Sequence, residues 1–130
     1  MKISINRDCL FFIKIIIVMI SFFLMVCIHD IGHYFYTRHY GTHSRGYGIG
    51  YVVYYMNWFI LPSFFLVAFL KRKWGVAIMV CVLFLLLYWF VDYYPLRTLL
   101  VFLSSLLPYA IIFCMNGWLE RRISLKKNEL

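Results

Sequence analysis

Acidic residues are scarce in this sequence: its 130 positions carry five Asp+Glu against 13 Lys+Arg, and only 14% of the chain is charged. A soluble domain is about one quarter charged and near half apolar, whereas 65% of this chain is hydrophobic. One core of this size does not hide so many Phe, Leu, Ile and Tyr side chains. The shortage of charge excludes a soluble enzyme and a disordered tail, and places a single domain in a bilayer. The net charge of +8 does not point to nucleic acid, because the cations stand in short clusters between apolar runs, as topology signals do. Metal-type cysteine spacing is also missing. Cys9, Cys27, Cys81 and Cys114 lie in or beside different apolar runs with no C-x-x-C, and read as small apolar packing residues. There is no repeat and no low-complexity tract.

What remains is hydrophobic and helical in period. Four spans are predicted, at about 10–33, 51–70, 74–92 and 98–118, each near the ~20 residues that cross a bilayer core. Lys14 interrupts the first run near its start, where its long stem is expected to snorkel, and Asn57 and Pro62 interrupt the second as a kink or polar contact. The first run is longer than the ~7–15 apolar residues of a signal peptide and no A-x-A site follows, so an uncleaved helix is expected. With four spans the termini and the middle loop share a side. That side carries ten cations, namely Lys2, Arg7, Lys14, Lys71, Arg72, Lys73, Arg121, Arg122, Lys126 and Lys127, against Arg38, Arg45 and Arg97 opposite. The bias predicts both termini in the cytoplasm, with 119–130 as a basic cytoplasmic tail. The fold class expected is therefore an all-α integral membrane protein.

Of the five acids, Asp8, Glu120 and Glu129 lie near the ends. Asp30 and Asp92 close the first and third runs, and the topology puts both near the outer face. Ionisable groups at that depth pair, face a cavity or bind something. The plain alternative is that Arg38 and Arg97 neutralise them. The neighbourhood of Asp30 reads His29-Asp30-Ile31-Gly32-His33. Residues four apart share a helix face, so both imidazoles can reach one metal ion. Zinc accepts imidazole and carboxylate, and a catalytic site wants three protein ligands and a water. Asp92 is the candidate third ligand, and Asp30 is placed to take a proton from the metal-bound water. Cys27 is two residues from His29 and points elsewhere. With four histidines in the chain the bare spacing is weak evidence, and His39 and His43 repeat it across Gly41, where a loop or turn is expected instead of a shared helical face.

This segment resembles the zinc-binding helix of the site-2 proteases, intramembrane metalloproteases with an H-E-x-G-H motif followed by an aromatic. His29, Gly32, His33 and Tyr34 match, and Asp30 stands in place of Glu. Arg38 and Gly41 continue the register, and Gly48-Ile49-Gly50-Tyr51 resembles the family's S-I-G-F segment. The likeness covers about residues 20–51. It implies a short Gly-rich strand or loop after the first helix, in which Gly48, Ile49, Gly50 and Tyr51 bind substrate as an added strand, the alternating Gly46, Gly48 and Gly50 leaving one backbone face open. The family's third ligand comes from L-D-G with an upstream N-x-x-P; Val91-Asp92-Tyr93 has neither the Gly nor the Asn-Pro. Asp is shorter than Glu by one C–C bond, about 1.5 Å, and a misplacement of that size can slow a reaction ~100-fold.

The resulting expectation is a minimal Zn²⁺ metalloprotease in a bacterial cytoplasmic membrane, hydrolysing a peptide bond in or near a transmembrane segment. Its partners would be the lipid bilayer and a membrane-protein or peptide substrate. The alternative is a non-catalytic pseudoprotease, or a membrane interaction protein of the immunity type.

Overall fold

The computed structural model describes residues 7–41 and 47–128. Lys2, His43, Arg45, Gly46 and Glu129 lie outside the described residues. Of the described residues 94% are helical and none forms a strand. The helices are α1 (Arg7–Tyr40), α2 (Tyr47–Tyr55), a π turn (Met56–Ile60), α3 (Leu61–Phe69), α4 (Arg72–Phe90) and α5 (Pro95–Asn128). Four helical stretches among them are long and apolar enough to cross a membrane. This is an all-α, multi-pass membrane architecture.

The helix ends differ from the sequence expectation in a consistent direction. Helices α1 and α5 each have 34 residues, about 51 Å at 1.5 Å per residue, and overrun a ~30 Å hydrocarbon core. The segment 119–128 is thus a continuation of α5, not a separate tail. Helix α1 likewise carries His39 in its last turn, beyond the expected loop boundary. It stops at Gly41, whose φ of 75° is left-handed and whose N–H donates to the Thr37 carbonyl at 2.9 Å, a helix ending that glycine adopts without steric cost.

Residues 47–69 run as one continuous helix through α2, the π turn and α3. The expected strand at Gly48–Tyr51 is therefore helical. In lipid every N–H and C=O must be satisfied within the segment or by a closed barrel, and a lone strand satisfies neither. A Cβ added at Gly50 would meet nothing within 4 Å, so no close backbone approach explains that glycine. The π turn sits just before Pro62. Proline lacks an N–H and its ring crowds the carbonyl four residues earlier; the wider turn accommodates both defects, and such turns gather at functional sites.

Helix α1 packs on α5 and α3, and α4 packs on α3 and α5. The buried centre holds Val18, Met25, Tyr55, Ile60, Phe64, Val67, Val101, Tyr109 and Ile112. Small polar residues line the contacts, as they do between membrane helices: Ser63, Ser104 and Ser105 donate to the carbonyls of Ile60, Val101 and Phe102. The buried Tyr109 hydroxyl donates to Ser63 Oγ. The outward faces are rich in large apolar side chains, among them Phe11, Phe12, Ile20 and Phe23 of α1 and Trp74, Val80, Phe84 and Tyr88 of α4, as surfaces against acyl chains require.

Lys14 has a different role from the expected snorkelling. Its Nζ donates to the Ala68 carbonyl at 2.9 Å and lies 5.6 Å from the Phe69 ring centroid. Asn116 Nδ2 donates to the same carbonyl at 3.1 Å. Ala68 is in the last turn of α3, where carbonyls lose their helical partners and carry the negative end of the dipole. The chain then reverses through an extended Leu70 and Lys71. These contacts gather the start of α1, the α3–α4 turn and the late part of α5 at one end, with Lys71, Arg72 and Lys73.

Replacing Lys14 with Met is expected to lower stability in detergent by about 1.5–3 kcal/mol, the range for a hydrogen bond to a charged group. Lys14→Arg should retain most of it. The midpoint of chemical denaturation followed by circular dichroism measures this, and an unchanged midpoint for Lys14→Met would dismiss the capping role.

Candidate functional site

At the opposite end the four-residue spacing of His29 and His33 is realised on α1. Their rings are 6.1 Å apart between centroids and inclined by only 6°, as expected for side chains one turn apart. Both are half-buried. They line a cavity of about 270 Å³ together with Phe22, Val26 and Asp30 of α1, Val52 and Val53 of α2, Met56 and Asn57 of the π turn, and Arg97 of α5. Phe22, Val26, His29 and His33 recur at helical intervals along one wall, so the α1 side of the cavity changes from apolar to polar toward the C-terminal end of α1.

Asp30 lies at the rim. Its side chain is 73% exposed and its Oδ1 is 3.6 Å from His29 Nδ1. Against the sequence expectation, the cation that meets the imidazoles is Arg97, not a second acid. Asp92 is exposed in the turn 91–93 and does not line the cavity. Among the described residues no set of three His, Cys, Asp or Glu side chains converges as a metal site. The structure thus brings His29, His33 and Asp30 together and leaves Asp92 apart. Gly48, Ile49, Gly50 and Tyr51 present no strand edge, so strand addition by a substrate has no template here.

Two side chains have a larger place here than their positions in the sequence suggest. Arg97, expected as a loop-side cation and a countercharge to the acids, joins the cavity wall. It is 8% exposed, with its guanidinium carbon 5.9 Å from the ring centroids of both Tyr36 and Tyr94, a cation–π distance. The available signal was its depth, since a cation beside an apolar run is itself a functional hint. Asn57 was weighed as a kink or contact. Its Nδ2 donates to the Val53 carbonyl at 3.0 Å, one turn back in the region the π turn distorts, and its side chain joins the cavity wall.

Gly32, between the two histidines in the motif, has a packing role. A Cβ there would lie 2.3 Å from Leu100 Cδ1 and 3.4 Å from Leu100 Cγ. Its absence lets α5 approach α1 one turn beyond Arg97. Comparisons of the chain with protein-family models, curated proteins and solved structures give no match.

Gly32→Ala should be tolerated, because a Leu side-chain tip can turn away. Gly32→Leu should cost about 1–3 kcal/mol as overpacking, measurable as a lowered denaturation midpoint. Equal midpoints for wild type and Gly32→Leu would show that α1 and α5 do not pack closely at this position.

Proposed function

We propose that this protein is a minimal intramembrane zinc metalloprotease-like protein, of the type its HDxGH segment resembles. Its substrate would be a membrane-embedded or membrane-bound peptide. Its setting would be a bacterial cytoplasmic membrane, with both termini inside. The observation that carries this reading is the pair of near-parallel, half-buried imidazoles on one wall of a single cavity. Neutral imidazole is a good zinc donor. The Asp30 carboxylate beside His29 Nδ1 favours a proton on that nitrogen and leaves Nε2 as the donor.

Zinc held there would polarise a peptide carbonyl and lower the pKa of its bound water toward ~7. The fit is incomplete. Two imidazoles face the cavity, whereas a catalytic zinc takes three protein ligands, and Asp92 would complete the set only from a different position of the turn 91–93. No hydrolytic step is therefore assigned to the metal. Asp30 is the carboxylate nearest the pair, and its role would be to hold His29 and accept a proton at the rim.

The exposure of Asp30 and the absence of Asp92 from the cavity lining favour a second reading. In it the protein is a non-catalytic pseudoprotease or interaction protein that receives a partner's helix without cutting it.

Metal analysis of the detergent-purified protein separates these readings. Stoichiometric zinc that is abolished by His33→Ala is expected for the metalloprotease-like protein, and zinc content unaffected by that substitution would overturn the site. Asp30→Glu should leave zinc unchanged and raise hydrolysis of a transmembrane peptide up to ~100-fold if reach is the limit. Absence of metal from both forms would favour the interaction protein.

A further inference from the structure

The cavity that holds the imidazoles also contains an arrangement that metal binding does not use. We propose that it is a binding slot for a phosphate-headed lipid, with the anionic head against Arg97 and one acyl chain directed toward Phe22 and Val26. The inference goes beyond the metalloprotease reading and does not need a metal.

Arg97 is the anchor of the slot. Its side chain is buried at the start of α5, and a cation withdrawn from water at the end of a membrane span pairs, faces a cavity or binds a ligand. Tyr36 and Tyr94 flank it and set its position at the cavity wall. Guanidinium is the side chain best suited to phosphate, through its planar fork of N–H donors. Asn57, His29 and His33 add polar groups to the same wall.

The shape of the slot argues for an amphiphile over a free anion. Its remaining lining is Phe22, Val26, Val52, Val53 and Met56. Along α1 the apolar members lie toward the bilayer centre and the polar members toward its outer end. From Phe22 to His33 is eleven residues, about 16 Å along the helix, which matches a head group at the interface with a chain pointing inward. The volume of about 270 Å³ is some nine times a water's ~30 Å³ share of the liquid. That accommodates a head group and the first part of one chain, not a folded polypeptide. Asp30 opposes an anion, but its carboxylate stands 73% exposed at the rim, whereas Arg97 is buried in the cavity wall.

The test uses the full chain in nonionic detergent and titrates three probes, following intrinsic tryptophan fluorescence and native mass spectrometry. Lysophosphatidate carries the anionic head and one chain; lysophosphatidylcholine carries the chain with a zwitterionic head; inorganic phosphate carries the anion alone. Lysophosphatidate is expected to bind at least tenfold more tightly than lysophosphatidylcholine, with inorganic phosphate failing to compete at equal concentration. Arg97→Gln should erase the preference and Arg97→Lys should retain part of it. Val26→Trp, which fills the apolar part and leaves the charge in place, should also abolish binding, so the proposal stays testable if Arg97→Gln does not fold. Stripping metal with EDTA should leave lysophosphatidate binding unchanged, which separates failure of this slot from failure of the metal site. Equal affinity for both lipids, competition by phosphate alone, or preference unchanged in Arg97→Gln would overturn the proposal.

Discussion

Helices α1 and α5 approach closely at Gly32, and the candidate site depends on that contact. A Cβ at this position would press only on the tip of the Leu100 side chain, but a larger side chain would overpack the contact; with glycine there, the early part of α5 lies against the late part of α1. That contact carries Arg97 to the face of α1 on which His29 and His33 stand, between Tyr36 and Tyr94. The cavity is what the π turn and α2 leave open beside this pair of helices. In a membrane such contacts are not driven by the hydrophobic effect, since lipid tails are as apolar as the side chains, so close packing of small residues decides them.

A second constraint acts along the whole chain: backbone polar groups have no water to turn to. It explains why Gly48–Tyr51 continues a helix instead of standing as an isolated strand. It also explains why the reversal between α3 and α4 is capped by Lys14 and Asn116 at the Ala68 carbonyl. Pro62 is tolerated for the same reason, because the π turn before it redistributes the hydrogen bonds that proline removes. Lys14, Asn116, Asn57 and Pro62 look in isolation like flaws in apolar helices. In the folded chain Asn57 and Pro62 lie where a helix is distorted, and Lys14 and Asn116 contact the end of another.

The resemblance of His29-Asp30-Ile31-Gly32-His33 to a metalloprotease helix and the arrangement of the site agree at the imidazoles and part elsewhere. The two rings share a face, and Asp30 adjoins His29. The expected third acid stays outside, and a buried cation occupies the side of the cavity that faces them. A cation in the same lining favours an anion in the cavity, so the electrostatics there differ from those of a three-ligand metal centre.

Patterns local to one helix were legible in the sequence. The apolar runs marked four spans because each must match the thickness of a bilayer, and the i, i+4 spacing of His29 and His33 marked a shared face because 3.6 residues make a turn. The clustering of cations at one end followed from the same alternation of runs, and Lys14 with Ala68 shows two of those basic regions meeting. Relations between helices were not legible. Depth alone put Asp30 and Asp92 at one level, but depth does not specify the angle around the bundle, and Asp92 turned out to face outward. The same missing angle hid Arg97, whose position depends on a glycine in another helix 65 residues earlier in the chain. Length, hydropathy and helical period are properties of single segments, and they suffice for a helical membrane protein with paired histidines near one end. Which charge those histidines share a cavity with is a matter of how two helices pack, and no single segment carries it.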